Sequence, residues 1–437
     1  MARLADLTAR PEIRPAGTRV VIDLRLLQEP ERAPITASYL GSLLGGYAAD
    51  PLPGEDLIAI LRRFRPDPTA ELEAAGLRVA GRRWVLPTAR TLRSLGLPVD
   101  ALLLRGAETR IHPTDPASAG VVFHTAGGAM PTHSALPVVA TLLDLAPWEL
   151  PERYARTAAA RLGHRSRVAG LRRARRILVT SRATADAVVR LLDIDRERIS
   201  VVPLAADDAF VPGPPEPGRL GSLRTAHHIP ERFLVVGGRY DARSDLPTLL
   251  AAVRTLRDRG TADADLPCLV LVGAAGNDPE AGTRVTQLAH RHGVLDLVRL
   301  TPPLPVQERA TLEGGAVGHV QPALSDATGM SAHEALAAGI PVICSRTGAL
   351  PEIVGPAGII VEPQDAGRLA VALEALWSGG PVAVQVTRAA QAKASSVRRR
   401  WSDVAHETRT VYAQALADSP RGVATEAGVD DGADAVG

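Results

Sequence analysis

The chain has 437 residues, with 50 Lys plus Arg against 48 Asp plus Glu and a formal net charge of +2. That length exceeds one typical core and points to two domains, and the balanced charge argues against nucleic acid as a partner. The two cysteines, Cys268 and Cys344, lie in apolar runs without metal-ligand spacing, so buried free thiols in a reducing compartment are expected.

No apolar run reaches the roughly 18 residues of a membrane span. The opening "MARLADLTARPEIRP" lacks the apolar core of a secretion signal, so a cytoplasmic protein is expected. Residues 1–17 read as an N-terminal extension. "TRVVIDLRLL" (Thr18 to Leu27) is the first strand candidate, and "ITASYLGSLLGGYAA" a helix from about Thr36. "DALLLRG" (Asp100 to Gly106), "GVVFH" (Gly120 to His124) and "LPVVATLLDLAP" (Leu136 to Pro147) are further strand-like runs punctuated by Gly or Pro. An arginine-rich helical segment runs from Tyr154 to Arg176. "RILVTS" is a strand that ends at a helix cap, "RATADAVVRLLD" is the helix, and "RISVVPLAAD" closes the first half. Such alternation argues for parallel strands with crossover helices.

Residues 208–230 open on the Pro/Gly-rich "DAFVPGPPEPGRLG" and read as a linker. The second half repeats the theme: "RFLVVGGRYD", "PCLVLVGAAG", "VGHVQPAL", "PVICSR" and "AGIIVEP" are strands with turn signals after them, and "DLPTLLAAVRTLRDRG" is an amphipathic helix. A final helix is expected over Val397–Leu416, followed by a small, acidic, disordered tail over 418–437. The domains are thus 18–207, 231–396 and a closing helix 397–417. Two doubly wound α/β domains would leave a cleft, and ligands bind outside the carboxyl ends of such strands.

The order of these motifs resembles the retaining, GT-B fold glycosyltransferases of family 4 (glycosyltransferase group 1). The resemblance runs from about Asp23 to Leu416. It is carried by "ILVTSRATADAVVRLLDIDRERISVVPLAAD", "VVGGRYDARSDLPTLLAAV", "VGHVQPALSDATGMSAHEALAAGIPVICSRTGALPEIVGPAGIIVEPQD" and "RRWSDVAHETRTVYAQAL". The implied fold is two Rossmann-like domains facing a cleft, with the last helix crossing back onto the first domain. The implied activity moves a hexose of mannose or glucose type from a GDP- or UDP-linked sugar to an acceptor hydroxyl, with retention and without a metal or other cofactor. The acceptor would be a glycan, a lipid-linked sugar or a small molecule.

Breaking a glycosidic bond to a diphosphate builds negative charge on the leaving group. Cations and a helix N-terminus are the expected stabilisers. The family places an arginine and a lysine five positions apart after the first strand of the second domain. Arg239 fits the arginine, beside Gly238; the lysine position holds Ser244, with Arg243 next to it. The family's two glutamates, with seven residues between them, correspond to Asp326 and Glu334, the first expected on the donor sugar and the second on the ribose. Gly329, Met330 and Ser331 would present backbone N–H groups to phosphate. Thr347, Gly348 and Ala349 line the nucleotide side or simply turn the chain. In the first domain Pro34 and Ile35 stand where the family has glycines, Leu143 replaces a histidine and Asp144 remains. Asp144 reads equally as a capping aspartate, and His124 as either a cleft residue or a structural strand-end histidine.

Four altered elements also admit another class of function: a GT-B protein that binds a nucleotide sugar, or partners an active homologue, without turnover. The basic run Arg153–Arg176 is a solvated helix face or, alternatively, a contact for an anionic inner-membrane surface. The glycines in "VGAAGND" lack dinucleotide-loop spacing, and no G-x-S-x-G hydrolase elbow is present.

Overall fold

The structure is a computed structural model and describes residues 18–86, 104, 120–127, 129–238, 240–262, 265–274 and 279–418. Seven parallel strands form the first sheet: β1 (Arg19–Asp23), β2 (Asp56–Arg62), β3 (Val79–Val85), β4 (Val121–Ala126), β5 (Val138–Thr141), β6 (Arg176–Val179) and β7 (Ile199–Val201). Their spatial order is β3-β2-β1-β4-β5-β6-β7. Six parallel strands form the second sheet: β8 (Leu234–Val236), β9 (Leu269–Leu271), β10 (Val298–Leu300), β11 (Gly318–Gln321), β12 (Val342–Ser345) and β13 (Gly358–Val361), in the order β10-β9-β8-β11-β12-β13. Both sheets reverse direction of growth beside their first strand, between β1 and β4 and between β8 and β11. A crevice opens at such switch points because neighbouring crossovers leave to opposite sides.

Central strands such as β2, β4 and β12 are buried along their whole length, as a sheet covered on both faces requires. The apolar run at Leu136–Pro147 shortens to β5, because Pro147 starts a short helix (Ala146–Glu149). The expected Tyr154–Arg176 helix divides into Pro151–Tyr154, Ala158–Arg173 and strand β6. Thr157 caps the long piece by accepting from the Ala160 N–H. Within 208–230 the chain forms an exposed helix, Pro217–Ala226, that buries none of its residues. The expected strand at Asp100–Gly106, the extension 1–17 and almost all of the tail lie outside the described residues. Cys268 and Cys344 are free and buried, and burial pushes their thiols up to about 11 and about 12.

The last helix, Trp401–Ala417, lies against the first domain. Arg409 is 2 % exposed and pairs with Glu55, its Nη2 2.6 Å from Oε2. Tyr47 donates to the Tyr412 hydroxyl at 3.0 Å, and that hydroxyl meets His124 Nδ1 at 2.7 Å. The helix Pro34–Ala49 approaches it so closely that a Cβ on Gly46 would stand 2.3 Å from the carbonyl oxygen of Trp401. Among the described residues no single helix is long and apolar enough to cross a membrane.

Gly46 generates a test of this packing. In an open helix interior Gly→Ala is stabilising by roughly 0.5–1 kcal/mol. Here Gly46→Ala is expected to destabilise by about 1–3 kcal/mol, because backbone must move to admit the methyl group; urea unfolding of the purified variant measures the sign.

Candidate functional site

A cavity of about 780 Å³ lies between the carboxyl ends of the two sheets. Its second-domain wall includes Gly237 and Gly238 after β8, Gln321 at the end of β11, Pro322, Ala323 and the stretch Ser325 to Thr328 beyond it, and Met330, Ser331 and Glu334 on the helix Met330–Ala337; Pro30, Glu31, Pro34, Ile35 and Leu143 face it from the first domain. Pro34 takes the first position of its helix, where its missing N–H is no loss. Gly238 is left-handed, φ +96°. A Cβ on Gly237 would fall 2.1 Å from His319 Nε2 and 2.9 Å from Ser331 Cβ, so only glycine lets the turn sit this deep. The helix Met330–Ala337 starts at Gly329, φ +56°, with no side-chain cap. No side chain caps its first-turn N–H groups, and its first two residues, Met330 and Ser331, line the cavity at the positive end of the helix dipole.

The loop Ser325–Thr328 is held from both sides. The carbonyl of Ala327 accepts from Thr180 Oγ1 at 2.6 Å and Thr184 Oγ1 at 2.9 Å, both of the first domain. Ala327 itself is packed into that domain's core. Ser325 donates to Glu149, whose carboxyl is pushed up chiefly by burial. Glu352 reaches across to accept from the N–H groups of Arg182 and Ala183, capping a first-domain helix. The cleft is thus closed around this loop.

Asp326 lines the cavity, but both its oxygens are engaged. Oδ1 accepts from the N–H groups of Thr328 (3.0 Å) and Gly329 (2.7 Å), and Oδ2 accepts from Gln321 Nε2. In this arrangement it braces the loop rather than offering a free carboxylate. Gly348 and Ala349 serve the same loop: the Ala349 N–H donates to the Asp326 carbonyl at 2.9 Å, and a Cβ on Gly348 would strike that carbonyl. Neither lines the cavity.

Glu334 is 7 % exposed and forms a forked pair with Arg309, at 2.7 and 3.1 Å. Burial pushes its carboxyl up, against the opposing charge of Arg309. Arg309 comes from the helix Val306–Gly314 and stacks on Phe210.

Arg243 is likewise committed. Nη1 sits 3.0 Å from Asp144 of the first domain, and Nε lies 3.2 Å from Asp241 and 3.3 Å from Tyr154 Oη. Burial works against its charge, but Asp144 and Asp241 prevail and raise it further. Asp144 also accepts from the Ala146 N–H at 2.9 Å, so the capping reading of this residue holds together with the ion pair. Ser244 is buried on the cavity wall, its hydroxyl donating to the Asp241 carbonyl. Arg239 lies outside the described residues.

Of the two readings of His124, the cleft-lining one is corrected and the structural one holds. His124 does not line the cavity; it is fully buried, with Nε2 2.8 Å from Thr141 Oγ1 and Nδ1 on Tyr412. Burial drives its pKa down to about 3, so it is a neutral tie between β4 and the closing helix. The basic run Arg153–Arg176 also divides. Arg153 donates to the Ala242 carbonyl, Arg167 covers Trp148 and Arg176 pairs with Asp418, whereas Arg156, Arg161, Arg165, Arg172 and Arg173 are exposed. Arg309, Arg284, Tyr240 and Gln321 belong to the site but were not singled out from the sequence. Only Gln321 leaves a sequence trace, as a polar residue two positions after His319 in an otherwise apolar strand.

The geometry can be compared with known proteins. Residues 230–379 match the family model described as "Glycosyl transferases group 1". D-inositol 3-phosphate glycosyltransferase of Streptomyces griseus is 31% identical over 264 residues, 56% of this chain and 55% of the relative. The protein of that description from Frankia alni is 31% identical over 273 residues, 60% of this chain and 63% of the relative. The chain thus spans a little over half the length of these curated relatives. Sucrose-phosphate synthase of Thermosynechococcus elongatus superimposes with a TM-score of 0.67 at 19% identity, over 92% of this chain and 100% of that one. Anabaena HepE, in complex with UDP and glucose, superimposes with a TM-score of 0.64 at 15% identity, over 91% and 100%.

The Arg309–Glu334 pair generates a pH test. A carboxyl raised in the fold gives up stability as pH climbs from its unfolded value through its folded one. Arg309→Met removes the opposing charge and raises Glu334 further. The variant is expected to lose about 1–3 kcal/mol, with the larger loss at pH 8 than at pH 5. Denaturation of Arg309→Met and of Arg309→Met/Glu334→Gln at both pH values checks this, the double variant being the flatter of the two.

Proposed function

We propose that this GT-B chain, whose second domain belongs to the glycosyl transferases group 1 family, moves a hexose from a nucleotide-diphosphate sugar to an acceptor hydroxyl with retention of configuration. The observation that carries the reading is the convergence at one switch point of the Gly237–Gly238 turn, the uncapped start of Met330–Ala337 and the buried acid Glu334. The diphosphate would lie over the turn and accept from the N–H groups of Met330 and Ser331. Arg309 and Arg284 border the same wall and would meet the charge that grows on the leaving group. Glu334 would accept from the ribose hydroxyls.

Asp326 acts in this reading through the loop it braces, which sets the sugar's position against Leu143, Pro34 and Ile35. Asp144 and Arg243 hold the closed cleft, which excludes the water that would otherwise hydrolyse the donor. UDP bound to HepE and the inositol phosphate acceptors in the relatives' names support a UDP- or GDP-linked donor and a small polar acceptor. The engaged oxygens of Asp326 favour a second reading, binding without turnover.

Calorimetry with UDP-glucose and GDP-mannose tests the proposal. The wild type is expected to bind one of them, and Glu334→Ala to weaken that binding about tenfold or more through loss of a charged hydrogen bond. No binding of either would contradict it. Binding without hydrolysis or transfer by the wild type would select the second reading.

A further inference from the structure

Behind the Gly237–Gly238 turn lies a buried polar chain that the proposed reaction has not used. His319 is 1 % exposed on β11, and its Nδ1 lies 3.0 Å from Glu313 Oε1, itself 5 % exposed. Gln321, two residues on and so on the same face of the strand, is 2 % exposed and donates its amide to Asp326 Oδ2. Carboxylates only accept. Nδ1 must therefore carry a hydrogen for Glu313, and Gln321 must turn its NH₂ to Asp326, leaving its oxygen on the other side. Among the described residues His319 Nε2 and Gln321 Oε1 both lack a hydrogen-bond partner. A hydrogen on Nε2 supplies the acceptor with a donor, and with Nδ1 also protonated the ring is an imidazolium.

We infer that His319 is a positioning residue for the proposed transfer: a fixed imidazolium, anchored by Glu313, that braces Gln321 and Asp326 and sets a positive charge beneath the phosphate turn. The inference rests on the functional reading above.

Charge balance points the same way. His319 faces Glu313 on the helix Val306–Gly314 and Glu334 on Met330–Ala337; Arg309 opposes both of those acids and Asp207, and Tyr240, from the loop after β8, faces Glu313. With His319 charged, two cations oppose these acids and Asp326, which joins the chain through Gln321. With it neutral, Arg309 is the one cation among these groups, and buried negative charge is left under the place where a diphosphate would sit. Burial pulls the imidazolium down, but Glu313, Glu334 and Gln321 together raise it above the ordinary histidine value. The ring also touches the site: Nε2 stands where a Cβ on Gly237 would be, next to Ser331.

The test has two arms. Nitrogen-labelled histidine NMR of the free protein is expected to show His319 protonated on both nitrogens at pH 6.5, and Glu313→Gln to move its titration to lower pH. In the second arm, UDP-glucose and GDP-mannose affinities are measured from pH 6 to pH 9, where a diphosphate diester does not itself titrate. The wild type is expected to weaken about tenfold with rising pH, the effect of one pKa unit of coupling. His319→Phe should be flat, at the wild type's high-pH affinity. Circular dichroism checks that it is folded, and Glu313→Gln, with its slope displaced to lower pH, decides the matter if it is not. A His319 that is neutral at pH 6.5, or a wild-type slope that persists in a folded His319→Phe, overturns the inference while leaving donor binding intact. Failure of the wild type to bind either sugar nucleotide at any pH overturns the functional reading and the positioning role together.

Discussion

The carbonyl of Ala327 is the hinge-pin of this structure. It belongs to the second domain but accepts from two first-domain threonines, at 2.6 and 2.9 Å, while its own methyl group is packed in the first domain's core. Two buried hydrogen bonds contribute about 1 kcal/mol each. Their larger effect is geometric, because they fix the five-residue stretch from Ser325 to Gly329 between two sheets. Everything that faces the cavity from that side, from Asp326 to Ser331, inherits its position from this docking. The Gln321–Asp326 and Ala349–Asp326 contacts hold the same stretch from within the second domain.

Two ion pairs at the cavity differ in kind. Arg309–Glu334 lies within one domain, with a half-buried arginine and a buried glutamate. Arg243–Asp144 spans the cleft, so any ligand that draws Arg243 away loosens a tie between domains. A ligand's phosphates would thereby be coupled to closure. The coupling uses an arginine beside a serine at the place where the resemblance leads one to expect a lysine.

Much of the architecture was legible. Apolar runs bounded by Gly or Pro marked β4, β8, β9, β11, β12 and β13, a helix cap marked the end of β6, and the spacing of Asp326 and Glu334 marked the cavity wall. The edge strand β3, "VAGRRWV", was not recognised because one row of its residues faces solvent, which replaces apolar alternation with Gly and Arg. β2 is a continuous apolar run that periodicity alone does not separate from a buried helix segment. Partners were less legible than positions. Asp326 faces the cavity as expected, yet nothing local shows that Gln321 and two backbone N–H groups occupy its oxygens. Arg309 meets Glu334 from a helix 25 residues away in sequence, a relation only tertiary packing creates. His124 read as two possibilities, and burial against Tyr412, 288 positions later, decided between them.

On the proposed reading, a docked loop, a glycine turn and an uncapped helix start together form a nucleotide-sugar site. A crystal structure of the protein with UDP-glucose or GDP-mannose tests it most directly. The account predicts diphosphate oxygens within hydrogen-bond reach, about 3 Å, of the Met330 and Ser331 N–H groups, the ribose on Glu334, and the Ala327 carbonyl still held by Thr180 and Thr184. A nucleotide seated elsewhere, or a cleft that opens at Ala327 to admit it, would contradict the account.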